Sequence, residues 1–300
     1  MGPVARLQSQ AGPALSAASN AGLLTPADVT RLLAEHGLAP RRTAGQNLVV
    51  DPNTVRRIVR TAGLSPDDEV LEIGPGLGSL TLGLASAVRH VTAVEIDAGF
   101  VSALGEVLAG VANVEVVHAD ALDVDLDRLV GHRPVRVVAN LPYNVATPLL
   151  FRLLAAASVV DGYLMVQREV GERWQARVGQ PLYAGVSAKL ALLAEVRVEL
   201  TVPRSVFHPV PNVDSVMVRV TRRADAPDPD TYARLATLIE TAFAQRRKTL
   251  RNTLRAVADP DRLAAAAVAA DVDLSARAET LDIAAIRRLD HALEHGAAAT

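Results

Sequence analysis

Three hundred residues, half of them hydrophobic, suffice to bury a full core in one large domain or two modest ones. The absence of cysteine excludes disulfides, thiol catalysis and cysteine-ligated metals, and the seven histidines show no metal-ligand spacing, so no metal site is expected. A formal net charge of −2 offers no general attraction for polyanions, so any nucleic-acid contact must rest on local patches.

In chain order, residues 1–22 are rich in Ala, Gly, Ser and Pro and lack the basic start and apolar centre of a secretory signal; a disordered extension is expected there. Thr25-Pro26-Ala27-Asp28 reads as a helix start, with Val29, Leu32 and Leu33 as its apolar stripe and Gly37 as its end. Asp51-Pro52 starts a second helix, in which Val55, Ile58, Val59 and Ala62 face one way and Arg56, Arg57 and Arg60 the other. From residue 69 short apolar runs alternate with helical segments. Strands are expected at Val70–Ile73, Val91–Ile96, Val114–Val117, Val135–Ala139 and Tyr163–Val166. This alternation predicts an open, mostly parallel α/β sheet covered on both faces. Arg197–Val202 and Ser215–Val220 look like further strands, an antiparallel pair at the edge. The polar, Pro-containing stretch Thr221–Asp230 reads as a linker, and everything from Thr231 onward reads as helical. The expected organisation is therefore an α/β domain over 23–220 and a small all-α domain over 231–300. The apolar stretch Leu263–Ala270 is far short of the ~20 residues a membrane span needs.

Four motifs sit at successive strand ends, where open α/β sheets bind ligands. Glu72-Ile73-Gly74-Pro75-Gly76-Leu77-Gly78 follows the first strand. Its glycines let a ligand approach the backbone, although the same residues also suit a plain turn, and Ser79 stands where a dinucleotide fingerprint has its third glycine. Glu95 ends the next strand and suits a ribose diol, a device shared by NAD and S-adenosylmethionine enzymes. Asp120 could accept from an adenine amine or simply cap a turn. Asn140-Leu141-Pro142-Tyr143 is the most specific. An amide oxygen and a neighbouring carbonyl can both accept from adenine N6, Pro fixes the turn, and Tyr offers a stacking face in a chain with only 3% aromatics.

With these motifs the chain resembles the small-subunit ribosomal RNA adenine dimethyltransferases over about residues 38–300. The resemblance also rests on Gly45-Gln46-Asn47, Val166-Gln167-Arg168-Glu169-Val170, Phe207-His208-Pro209-Val210-Pro211-Asn212-Val213-Asp214-Ser215 and the segment Phe243–Asn252. It implies a Rossmann-like class I methyltransferase domain with a helical C-terminal domain. It implies S-adenosylmethionine contacts from Asn47, Val49, Gly74, Glu95, Asp120 and Asn140. It also implies two methyl transfers to each of two adjacent adenosines near the 3′ end of small-subunit rRNA, in the 30S subunit or its precursor. A cytoplasmic monomer is expected. Leu48 departs from the aromatic usual after Gly-Gln-Asn. In the reading that follows, Asn140 and a backbone carbonyl near Leu141 hold N6, Pro142 shapes the turn, and Tyr143 and Phe207 sandwich the adenine.

Three other readings share parts of this pattern. One is a related methyltransferase of large-subunit rRNA, against which Phe207–Ser215 and the Gln245–Lys248 run argue. Another is an NAD-dependent oxidoreductase, which has no need of Asn140–Tyr143. The third is an assembly factor that has lost catalysis, against which the intact motifs stand. Finally, Arg246, Arg247, Lys248, Arg251 and Arg255 lie in an acid-free stretch from Thr241 to Ala258. Arg247, Arg251 and Arg255 recur every four residues, which predicts a cationic helix face able to track an RNA backbone, unless it is merely a solvated face.

Overall fold

The computed structural model describes residues 5–8, 22–41 and 45–296. Its elements begin with β1 (Ala5–Gln8), α1 (Pro26–Glu35), β2 (Leu48–Val49), α2 (Pro52–Ala62), β3 (Glu69–Ile73), α3 (Ser79–Ala85), β4 (His90–Glu95) and α4 (Ala98–Val107). They continue with β5 (Val114–His118), α5 (Leu126–Leu129), β6 (Val135–Asn140), α6 (Ala146–Ala155), β7 (Val159–Gln167), α7 (Arg168–Gln175) and α8 (Gly185–Leu193). After β8 (Ala194–Val202), β9 (Phe207–His208) and β10 (Ser215–Arg222) come α9 (Pro229–Phe243), α10 (Leu250–Thr253), α11 (Pro260–Ala270) and α12 (Ile283–His295).

Local chemistry accounts for the helix starts. Thr25 and Asp28 form a reciprocal capping box ahead of Pro26. Asp51 accepts from the Asn53 and Thr54 amides ahead of α2, and Gly63 ends that helix in the left-handed region. The strands form one eight-stranded sheet in the order β1-β5-β4-β3-β6-β7-β10-β8. The pairs β3–β4, β3–β6, β4–β5 and β6–β7 are parallel, as the alternation predicts. β10 lies antiparallel to β7, with Ser215 opposite Gln167. The parallel run starts at β3, moves outward through β4 and β5, then returns across to β6. That reversal opens a crevice beyond the carboxyl ends of β3 and β6. A separate two-stranded pair joins β2 to β9, with Val49 opposite Phe207.

The expected disordered extension is corrected in part. Ala5–Gln8 pairs antiparallel with β5, because the outer edge of β5 carries backbone groups that a short strand can satisfy; the remainder of 1–21 lies outside the described residues. The chain divides into two compact units, Met1–Arg168 with Val198–Thr221, and Glu169–Arg197 with Arg222–Thr300. The helical unit is thus larger than 231–300, since Tyr183, Ala188 and Leu192 bury their side chains with Leu235, Leu263 and Leu289 in one apolar cluster.

Arg136 of β6 is the polar anchor of the first unit. Its Nε and Nη2 grip the Asp161 carboxylate at 2.9 and 2.8 Å, and its Nη atoms also donate to Asp68 and to the carbonyls of Ala62 and Gly63. Arg219 of β10 adds bonds to the Thr61 and Ala62 carbonyls. Two guanidinium groups therefore satisfy the C-terminal end of α2, where the helix dipole favours positive charge. Replacing Arg136 with Ala leaves Asp161 and the Gly63 carbonyl without this donor, and the Ala62 carbonyl with Arg219 alone. A loss of about 2–4 kcal/mol in denaturant unfolding is expected, and a midpoint equal to wild type would remove Arg136 from this role.

Candidate active site

Each turn after a parallel strand brings one chemical group to the crevice. The turn after β3 places Gly74, Gly76 and Gly78 at φ values of 69°, 59° and 87°, a region other residues enter only with strain. A Cβ on Gly76 would fall 2.5 Å from the Leu48 side chain. Leu48 is buried and serves as wall packing for the glycine turn, which explains how a position expected to be aromatic works without a stacking face.

Glu95, at the end of β4, is also buried. Its Oε2 accepts from the Gly76 amide at 3.1 Å and its Oε1 from the Ile96 and Asp97 amides at 3.0 Å each. Burial raises the carboxyl's pKa, and the three amide donors work against that rise. The carboxylate is thus fixed by backbone, with acceptor capacity left on Oε2 for a ligand hydroxyl. Asp120, after β5, is half-buried and accepts from the Leu122 amide at 2.8 Å. The capping reading and the ligand reading of Asp120 are compatible, because one oxygen serves each.

At the end of β6 the Asn140 side chain is tied down from one side. Its Nδ2 donates to the Asn47 carbonyl at 2.6 Å. Its Oδ1 is buried with no hydrogen-bond partner among the described residues. Asn47 is itself braced by a bond from its Nδ2 to the Gly45 carbonyl. A Cβ on Gly45 would meet the Tyr143 amide nitrogen at 2.6 Å and Asn144 Oδ1 at 2.8 Å, so this loop lies directly on the Asn140–Tyr143 turn. The Leu141 side chain is buried and its amide donates to the Met165 carbonyl, so only its backbone carbonyl is left as a candidate contact. The Tyr143 hydroxyl bonds Ser215 Oγ at 2.6 Å, and burial raises its pKa against the effect of that bond.

Asn47, Val49, Gly74, Glu95, Asp120 and Asn140 converge on one cavity of about 300 Å³, which Pro142 also lines. Tyr143 borders the loop but is not among the cavity walls. The Phe207 role is corrected: at 2% exposure it packs in the core beside Val49, because its strand pairs with β2, and it offers no face to a ligand. Sequence reasoning missed Glu72 and Ile96, which line the same cavity. Ile96 follows the ribose-type carboxylate and is largely exposed, an apolar side chain at a strand end.

A family model described as ribosomal RNA adenine dimethylase matches residues 38–293. The chain belongs to that family. It is similar to "Ribosomal RNA small subunit methyltransferase A" of Thermobifida fusca, 49% identical over 281 residues that cover 91% of this chain and 97% of the relative. The Cutibacterium acnes protein of the same name is 44% identical and covers 93% and 97%. Among solved structures, the 23S rRNA methyltransferase ErmE superposes with a TM-score of 0.65 at 30% identity, covering 83% of this chain and 100% of that one. A dimethyladenosine transferase from Plasmodium falciparum gives 0.66 at 25%, covering 81% and 95%. A member of the adenine dimethylase family uses S-adenosylmethionine as methyl donor. The site fits that group: glycines with no Cβ at the turn and a buried carboxylate placed for ribose hydroxyls.

The cation cluster belongs to the helical unit and departs from the expected helix face. α9 ends at Phe243, residues 244–249 form turns, and α10 is only four residues long. The break arises because the Leu250 and Arg251 amides donate to the Ala276 and Leu274 carbonyls instead of continuing α9. Arg246, Arg247, Lys248, Arg251 and Arg255 are all exposed, and none makes an ion pair within 4.0 Å among the described residues.

Glu72 supplies a pH test. It is 1% exposed, its Oε2 lacks a partner among the described residues, and burial pushes its carboxyl up to about 8, with Thr81 opposing the rise and Glu95 adding to it. Between pH 4.5 and 8 the folded protein keeps a proton that the unfolded chain releases. The contribution is therefore fully present below about pH 4.5 and is lost as pH rises through 8. Glu72→Gln removes this slope. Its thermal midpoint relative to wild type should climb by a few degrees from pH 5 to pH 8.5; parallel midpoint curves would show that Glu72 titrates normally.

Proposed function

We propose that this enzyme dimethylates N6 of two adjacent adenosines near the 3′ end of small-subunit rRNA, acting as a monomer in the cytoplasm on the 30S subunit or its precursor. The names of relatives at 44–49% identity, matched over nearly their whole length, support the small-subunit target. No helix among the described residues is long and apolar enough to cross a membrane. The observation that carries the chemistry is Asn140. Its Nδ2 is committed to Asn47, so the buried Oδ1 is the end of the amide left to meet a substrate.

The cofactor supplies an electrophilic methyl on a sulfonium, so the residues need only present a nucleophile in line with it. Adenine N6 is a poor nucleophile because its lone pair is delocalised into the ring. Asn140 Oδ1 and the Leu141 carbonyl accept its two hydrogens and favour a tetrahedral nitrogen whose lone pair points out. Tyr143 gives the base a stacking surface, its ring held by Ser215. No group of raised pKa is needed as base, since the methylated N6 cation is acidic and its proton leaves to water. In the second round only one N6 hydrogen remains, so one acceptor is engaged and stacking carries more of the positioning.

Asn140→Ala should lower the single-turnover rate by about 10²-fold or more, while cofactor affinity measured by calorimetry changes by no more than about 10-fold. A rate within twofold of wild type would overturn the assignment. The alternative target, suggested by ErmE, is large-subunit rRNA. Mass spectrometry of both rRNAs from a strain lacking the gene separates the two, because only the true substrate loses its dimethyladenosines.

We further propose that the exposed cations of residues 246–255 contact rRNA phosphates. A turn-helix-turn cluster can follow a backbone as a helix face can, since phosphate contacts require position and charge rather than one element type. Replacing Arg247, Lys248 and Arg251 together with Ala should flatten the log–log salt dependence of subunit binding by up to about three, with cofactor affinity unchanged. An unchanged slope would return the cluster to an ordinary solvated surface.

A further inference from the structure

Val210 and Val213 are 48% and 44% exposed, three residues apart on the loop between β9 and β10. Single exposed apolar residues are ordinary on any surface. These two share a loop that is braced by hydrogen bonds and placed beside the substrate turn. Asp214 Oδ2 accepts from Arg168 Nη2, and its Oδ1 accepts from the Arg204 amide, both at 2.9 Å. Arg204 Nη1 donates to the Asn212 carbonyl. Pro209 and Pro211 fix two more backbone angles, and Pro211 is buried. Ser215, immediately after the loop, is bonded to Tyr143. Because Ser215 pairs with Gln167 and Asn140 pairs with Met165, the loop leaves the same carboxyl edge of the sheet as the Asn140 turn.

The surroundings define the partner. Arg204 is exposed, and no carboxylate lies within 4.0 Å of its guanidinium among the described residues. An apolar tip flanked by an unneutralised cation suits a polyanion with apolar flat faces, which is a nucleic acid with accessible bases. An adenosine presented to Asn140 must leave its stack, and the gap it leaves exposes the faces of its neighbours. Apolar side chains inserted between base steps are a known means of unstacking them. Valine is suited to this because its branched Cβ leaves little rotamer freedom to lose.

We infer that Val210 and Val213 form a wedge that enters the RNA stack and occupies the space vacated by the extruded adenosine. The inference rests on the RNA adenine methylation reading and deepens it. The test uses the full-length enzyme, S-adenosylmethionine and small-subunit particles from a strain lacking the gene. Wild type must first methylate these particles; its failure while still binding cofactor would overturn the substrate reading itself. In V210S/V213S, cofactor affinity and the salt slope of particle binding should match wild type, while the saturated single-turnover rate falls at least about 10-fold. V210I/V213I, which keeps the apolar tip, should restore the rate. Three results would overturn the wedge: a serine variant within twofold of wild type, a defect confined to particle affinity with the saturated rate intact, or equal losses in the serine and isoleucine variants.

Discussion

The bond from the Asn140 amide to the Asn47 carbonyl spans 93 residues and decides which end of that amide a substrate can meet. Everything around it serves to keep its two ends in register. Asn140 is carried at the end of β6, a central strand between β3 and β7. Asn47 is carried on a connection that must be fixed by other means. β2 pairs with β9, Val50 donates to the Val206 carbonyl, and α2 is gripped at its far end by Arg136 and Arg219. The two arginines therefore influence the cavity without touching it. They hold the helix whose start fixes the segment bearing Asn47. An amide with its donor already engaged costs no reorientation when substrate arrives, which is the form of preorganisation that a positioning enzyme needs.

How much of this could be read from the sequence depends on how local each cause is. Helix starts at Thr25 and Asp51 are decided by side chains within three residues, and both are as read. The order of chemical groups along the crevice follows from strand alternation, which picks out Gly74, Glu95, Asp120 and Asn140, whereas Asn47 and Val49 are implied only by the family resemblance; all six line one cavity. Phe207 shows the limit. Its motif suggested a stacking face, but its burial is set by pairing with Val49, 158 positions earlier, and no local pattern encodes that. The cation cluster fails for a similar reason. Nothing between Gln245 and Thr249 is a helix breaker, and the break is caused by carbonyls of residues 274 and 276. Glu72 was visible as a letter in a glycine motif, yet its lack of a partner is a property of packing alone.

The charge distribution reconciles a slightly acidic chain with a polyanionic substrate. Several arginines of the first unit are engaged in internal ion pairs, Arg136 and Arg219 being the clearest cases. Those at 246–255 are left to solvent. Net charge averages the two populations and so conceals both. The useful quantity is the number of cations without an acidic neighbour, and it is unevenly distributed along the chain.

The helical unit is assembled from two separated stretches, Glu169–Arg197 and Arg222–Thr300, and the core it forms is shared between them. Tyr183 makes this concrete, since its hydroxyl donates to the carbonyl of Leu281, 98 residues later. During synthesis the first stretch emerges well before its partners, and Tyr183, Ala188 and Leu192 wait without the surface that covers them. The linker after β10 is consequently a poor place to divide this chain. Cutting there would not release a self-sufficient catalytic half, but one burdened with two orphaned helices and an apolar face prone to self-association. Nascent-chain protection, rather than the modular economy that the linker suggests, is what this arrangement demands.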